Sequence, residues 1–375
     1  MLLLPSYEIV ASVNKMSIDT SSGIVNGTKK RNIIIYEDIP YAQPPIGELR
    51  WKAPRKILSK ININPKNNNS CIQRPSNLGG VDGNNFYVGS EDCLYLDIFA
   101  PSKKSQELRP VMFWIHGGAN TSGLKDLYDF SKLVRKHNVI LIRTNYRLGP
   151  FGWFSHPAIQ DLQDGIDKTS NFGTLDIISA LEWVNKNIHL FGGDSKNITI
   201  FGESAGAMSI GLHFLDQVNR PVEARANLFN AIILQSNPLG YRYRNVVVAN
   251  FLGADYKESL DCEDLRCLQS ESADELIHVQ DTLMAVPRSI GDFFTWGPVL
   301  TDHHYQREVR LRPGHVADIQ VLQPINTLKK LSASGIPIIM GTNSHEGNVF
   351  VYTAFPAKII KPVYMALIIS FFRRA

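Results

Sequence analysis

Short apolar runs alternate with longer segments of helical period along most of this 375-residue chain. Residues 110–115 (PVMFWI), 139–144 (VILIRT), 197–201 (NITIF), 231–235 (AIILQ) and 337–341 (PIIMG) have the length and the β-branched or aromatic content of buried strands. Between them, 173–191 places Leu175, Ile178, Leu181, Val184 and Ile188 on one helical face, and 205–215 carries small and then apolar residues at helical spacing. Apolar strands separated by helices predict an α/β fold, a mostly parallel sheet with helices on both faces. No internal repeat interrupts the alternation, and residues 1–375 read as one domain. In such sheets chemistry gathers at the carboxyl ends of the strands.

Composition narrows the class. An apolar fraction of 44% with 20% charged residues is that of a globular chain, which excludes a fibrous or disordered one. The net charge of +4 is small and dispersed, so Lys29-Lys30-Arg31 reads as a solvated turn and no nucleic-acid partner is expected. The apolar stretch 363–372 falls far short of the ~18–20 residues that cross a bilayer and reads as a core helix. Met1-Leu2-Leu3-Leu4-Pro5 lacks the basic start and sustained apolar core of a signal peptide.

Four cysteines fall into two close pairs, Cys71 with Cys93 and Cys262 with Cys267. The first would close the Gly/Asn-rich stretch 73–92, where a crosslink contributes on the order of 3 kcal/mol. The pairs point to a secreted or periplasmic setting and the missing leader points away from it, so the compartment stays open. No histidine lies near either pair and neither has C-x-x-C spacing, so no metal is expected.

The candidate chemistry sits at strand ends. Gly202-Glu203-Ser204-Ala205-Gly206 falls where strand 197–201 hands over to helix 205–215. A serine between two glycines at such a junction is the pattern of a nucleophile elbow, a crowded turn that lifts the hydroxyl above the sheet. About ninety residues upstream, strand 110–115 ends in His116-Gly117-Gly118-Ala119. A serine attacking an acyl group needs N–H donors for the oxyanion that forms, and a glycine-rich loop supplies them unobstructed.

Around these two motifs the chain resembles the type B carboxylesterase family of α/β-hydrolases, which includes carboxylesterases, cholinesterases and the non-catalytic neuroligins. The likeness is carried in order by Ile39-Pro40-Tyr41-Ala42, Pro44-Pro45-Ile46-Gly47, Glu91-Asp92-Cys93-Leu94-Tyr95-Leu96, Asn145-Tyr146-Arg147-Leu148-Gly149 and Phe191-Gly192-Gly193-Asp194. The resemblance implies that Ser204 is the nucleophile and that the N–H groups of Gly118, Ala119 and Ala205 form the oxyanion hole. It implies that Glu346, in Gly341-Thr342-Asn343-Ser344-His345-Glu346-Gly347, is the triad acid, and that Glu203 lies in the pocket wall. Cys71–Cys93 matches the family's first disulfide, and Cys262–Cys267 sits near its second with a short spacing. A small-molecule carboxylic ester is the implied partner, with no cofactor; the oligomeric state is not legible.

The chain departs from the family at several points. The triad order is serine, acid, histidine, yet none of the ten histidines follows Glu346. His116 belongs to the glycine loop and His345 adjoins the acid, so the expectation is a chain truncated before its base, or an inactive or adhesive relative. Asn120 stands where an aromatic residue commonly follows the oxyanion loop, which would widen or polarise the pocket mouth. No tryptophan lies between Cys71 and Cys93, only Phe86 and Tyr87, so a quaternary ammonium ester such as acetylcholine is not the expected substrate.

Overall fold

The computed structural model describes residues 16–63, 70–76, 80–81, 83, 85–103, 105–220, 226–284, 295–300, 321–326, 329, 334–348, 360–362 and 365. Among the described residues ten strands form one sheet: β1 (Met16–Asp19), β2 (Gly23–Lys30), β3 (Ile33–Pro40), β4 (Ile61–Asn62), β5 (Tyr95–Pro101), β6 (Arg109–Ile115), β7 (Ile140–Thr144), β8 (Gly193–Glu203), β9 (Ala231–Gln235) and β10 (Ile338–Gly341). Their order is β1-β2-β3-β5-β7-β6-β8-β9-β10, with β4 beside β2. From β1 to β7 successive neighbours in that order are antiparallel; from β7 to β10 every neighbour is parallel.

The helices are α1 (Ser131–His137), α2 (Gly149–Trp153), α3 (Pro157–Leu162), α4 (Phe172–Asn187), α5 (Ala205–Asn219), α6 (Val246–Ser259), α7 (Leu265–Ser270) and α8 (Ala273–Met284). Alternation along β6 divides the interior. Val111, Phe113 and Ile115 pack with Ile198 and Ile200 of β8, Leu181 and Val184 of α4, and Ile210 and Phe214 of α5. Trp114, on the other face, packs with Leu141, Phe201 and Val134 of α1. A further cluster around Trp51, Phe154, Phe172, Tyr256, Leu276 and Trp296 joins α2, α6 and α8.

The parallel sheet and its strands follow the apolar pattern, with two corrections. The helix predicted over 173–191 is α from Phe172 to Asn187 and 3₁₀ from Ile188 to Phe191, and it is buried nearly all round. Its polar side is no solvent face: Asp176 is fully buried and takes Arg147 in a bidentate pair, Nη2 to Oδ1 at 2.7 Å and Nε to Oδ2 at 2.8 Å. The strand predicted over 337–341 forms beside β9, but it is exposed along most of its length, with Ile339 at 63% and Met340 at 43%. It closes the described order of the sheet, so its outer side has no described neighbour. Residues 1–5 and the predicted helix 363–372, Met365 apart, lie outside the described residues.

Candidate active site

Strand register brings the chemistry together. Ile115 of β6 lies opposite Gly202 of β8, Gly202 opposite Leu234 of β9, and Leu234 opposite Met340 of β10. The residues that follow these four positions therefore leave the sheet along one rim. The chain runs from β6 to β7 on one side, then returns to β8 and β9 on the other. Their boundary is the switch point at which open α/β sheets bind ligands.

Ser204 leaves β8 with φ 55° and ψ −121°, a conformation few residues other than glycine adopt. It is held from both sides, since its N–H donates to Gln235 O at 2.9 Å and its carbonyl accepts from Met208 N at 2.9 Å. The next residue, Ala205, begins α5, so the unsatisfied N–H groups and positive end of that helix start beside the hydroxyl. Gly206 shows why the turn excludes larger residues: a Cβ there would overlap the Ile115 carbonyl oxygen and lie 2.7 Å from that of His116.

The loop after β6 packs directly on this turn. A Cβ on Gly117 would lie 2.7 Å from Glu203 O and 3.2 Å from Ser204 Cβ. Gly118, Ala119 and Asn120 follow with φ of 106°, 55° and 62°. The Gly117 carbonyl faces His116 Nδ1 at 2.8 Å, and the Gly118 carbonyl accepts from Thr121 N at 3.0 Å and Ser122 N at 2.9 Å. Because trans peptide planes set N–H opposite C=O, the N–H groups of Gly118 and Ala119 point away from those inward-turned bonds.

His116 supports the loop. Its ring stacks on Tyr146 at 4.4 Å, and the Tyr146 hydroxyl donates to His116 O at 2.7 Å. Burial lowers its pKa to about 4, so the imidazole is neutral at pH 7, and the bond to Gly117 O places the proton on Nδ1. Gln73 reaches in from the disulfide-closed stretch: its Nε2 donates to Gly123 O and its Oε1 accepts from Gly123 N, both at 2.8 Å.

The acidic residues differ in setting. Glu203, half-buried, has its pKa raised by desolvation first and by the charge of Glu346 second, which places the two carboxylates near each other. Glu346, exposed in the loop after β10, has its pKa lowered by a hydrogen bond from the Ser236 hydroxyl first and from Asn343 N second, the latter at 2.6 Å. Ser236 N in turn donates to Gly341 O at 2.8 Å, tying the ends of β9 and β10. His345 is exposed next to it.

Asn120, expected at an open mouth, is buried at 1% exposure, with Nδ2 donating to Trp296 O at 3.4 Å. Phe86 is turned to another use: the Arg74 guanidinium lies 3.8 Å from its ring centroid, and the His278 ring centroid is 5.2 Å away. Both cysteine pairs are bonded, Cys71 to Cys93 and Cys262 to Cys267. Three residues that support the site escape a sequence reading: Gln73, Gln235 and Ser236. Gln235 acts through its backbone, and the other two act on partners 50 and about 110 residues away, with no local pattern to announce them.

Fold and rim together define an α/β-hydrolase. A sequence profile of the carboxylesterase family matches residues 14–367, and the chain belongs to that family. Among its relatives are the para-nitrobenzyl esterase of Bacillus subtilis, 34% identical over 89% of this chain and 63% of the relative, and the cholinesterase of Mus musculus, 33% identical over 82% and 53%. The crystal protein of Dictyostelium discoideum is 32% identical over 98% of this chain and 64% of its own length. A solved thermophilic para-nitrobenzyl esterase superposes with a TM-score of 0.74 at 32% identity, covering 94% of this chain and 68% of that one. The chain thus spans a little over half to about two-thirds of the length of the curated relatives it matches.

Proposed function

We propose that the chain carries the nucleophile, oxyanion hole and acid of a serine hydrolase acting on small carboxylic esters. The observation that supports this most directly is Ser204 at φ 55° between β8 and α5, with the 116–119 loop packed on it. In this reading Ser204 Oγ attacks the ester carbonyl carbon while a histidine takes its proton. The carbonyl oxygen becomes an anion received by the N–H groups of Gly118, Ala119 and Ala205. The C–O bond then breaks, the alcohol leaves with the proton, and water releases the acid from Ser204 by the same steps. Glu346, held by Ser236 and Asn343, orients and charge-balances the histidine. No residue after Glu346 in these 375 is a histidine, so Ser204 is expected both to label and to turn over slowly in this chain assayed by itself.

The test is a fluorophosphonate probe followed by peptide mapping. Labelling at Ser204 that is lost in Ser204→Ala supports the proposal; a folded chain that neither binds a p-nitrophenyl ester nor labels at Ser204 supports a binding module instead. With a p-nitrophenyl ester, turnover of the 375-residue chain is expected to be several powers of ten below that of a complete triad enzyme. Robust turnover abolished by Ser204→Ala would show that another group serves as base.

A further inference from the structure

Charges dispersed along the sequence are gathered by the fold at the end of the sheet opposite the serine rim. Strand pairing sets Lys30 opposite Ile33, Ile33 opposite Pro101, and Arg109 opposite Gly193. The β2–β3 turn, the end of β5 and the starts of β6 and β8 therefore share that end. Arg109, itself buried, ties the segments together. Its N–H donates to Gly192 O at 2.9 Å, its Nε donates to Asn138 Oδ1 at 2.9 Å, and its Nη2 donates to Lys103 O. Ser102 N donates to Asn32 O at 2.9 Å, which draws the β2–β3 turn alongside.

Two kinds of side chain meet here. Lys30, Arg31, Lys103, Lys136 and Lys196 are all exposed, and none is in an ion pair among the described residues. Beside them Leu108 and Leu190 are 54% and 42% exposed, and each lies within two residues of the Arg109–Gly192 hydrogen bond. Glu107 and Asp194 share this end, but Asp194 turns back onto its own loop, its Oδ1 accepting from Lys196 N at 2.9 Å. Exposed leucines scattered singly need no explanation; a pair set among unpaired cations is a surface with two matched demands, an apolar layer and an anionic one.

We propose that this end of the molecule docks on a membrane surface rich in anionic lipid. Each lysine or arginine held near such a surface strengthens binding about fivefold. The lysine stems carry their charges to the headgroups while the leucines enter the boundary between headgroups and acyl chains, where apolar side chains leave water. The leucines also decide between a bilayer and a nucleic acid, because a phosphate backbone offers no apolar layer to receive them. Docked in this way, the carboxyl ends of β6 and β8 point away from the lipid, and Ser204 stays on the aqueous side. The proposal stands on this surface and does not depend on the chemistry at Ser204.

Co-sedimentation of the 375-residue chain with vesicles tests it, using phosphatidylcholine alone and phosphatidylcholine mixed with phosphatidylserine. Binding to the mixed vesicles is expected to be at least about tenfold tighter than to the neutral ones, and to weaken as salt rises from about 0.05 M to about 0.5 M. Lys103→Gln/Lys136→Gln should weaken it about 25-fold, and Leu108→Ser/Leu190→Ser at least about tenfold, with denaturation midpoints close to that of the unaltered chain. Equal binding to both vesicles, no binding to the mixed ones, or an affinity untouched by either variant would overturn the proposal. Tighter binding to a DNA duplex than to the mixed vesicles, unaffected by the leucine variant, would make this a nucleic-acid surface and overturn it likewise.

Discussion

At the scale of single residues, the candidate site is governed by close approach. Gly206 is small because two carbonyl oxygens, those of Ile115 and His116, occupy the space where a side chain would begin. Gly206→Ala is therefore expected to move the 116–119 loop or the serine turn, at a stability cost of about 1–3 kcal/mol. The fluorophosphonate labelling rate should fall more than tenfold, and an unchanged rate would refute the packing argument. Gln73 acts at longer range, through two hydrogen bonds to Gly123. Gln73→Leu leaves that backbone unpaired, at about 1–3 kcal/mol for each buried group. Slower labelling together with a lower denaturation midpoint is the expected outcome; a lower midpoint alone would mean that Gln73 supports the fold but not the loop.

At the scale of elements, buried polar groups set how the molecule responds to pH and charge. His213, on α5, is buried, and desolvation lowers its pKa from 6.5 to about 3. Between those values the unfolded chain binds a proton that the native helix refuses, so stability falls as pH drops through this window. The slope for one histidine reaches about 1.4 kcal/mol per pH unit. His116 adds the same effect between 6.5 and about 4. His213→Leu should flatten the acid limb of a urea-midpoint profile measured from pH 7 to 4, and a profile parallel to that of the unaltered chain would contradict the burial. The antiparallel end of the sheet holds a different device. Lys125 Nζ lies 2.9 Å from oxygens of Asp38, Asp97 and Asp126, and Arg143 Nε lies 2.8 Å from Asp97. Asp97 is fully buried, and its pKa is lowered by Lys125 and Arg143 against the desolvation that opposes them. Lys125→Met leaves those carboxylates short of a cation and is expected to cost about 3–5 kcal/mol, read from equilibrium denaturation.

At the scale of the whole molecule, crosslinks and sheet order decide what holds together. The Cys71–Cys93 bond closes a separation of 22 residues, the Cys262–Cys267 bond one of 5. Loop-closure entropy makes the first worth about 3 kcal/mol and the second about 2. The Cys71→Ser/Cys93→Ser variant should thus lose more stability than Cys262→Ser/Cys267→Ser. It should also label more slowly, because the stretch it frees carries Gln73. The reverse ranking would show that the shorter loop, just before the Leu268, Gln269 and Glu271 carbonyls that Arg50 binds, carries more of the fold.

Local signals in the sequence settled much of this protein. The strand ends at Ile115, Thr144 and Gln235 coincide with apolar runs, and the serine motif falls at a strand-to-helix turn because small residues and a steep change of period mark such turns. Those signals arise within a few residues and need no partner. Tertiary structure alone decided the rest, since it depends on groups far apart in the chain. The burial of α4 nearly all round includes the buried Asp176, paired with Arg147, which no helical period records. The seating of Asn120 under Trp296 comes from a contact 176 residues away. The exposure of β10 follows from its place in the strand order, which strand-forming composition does not encode.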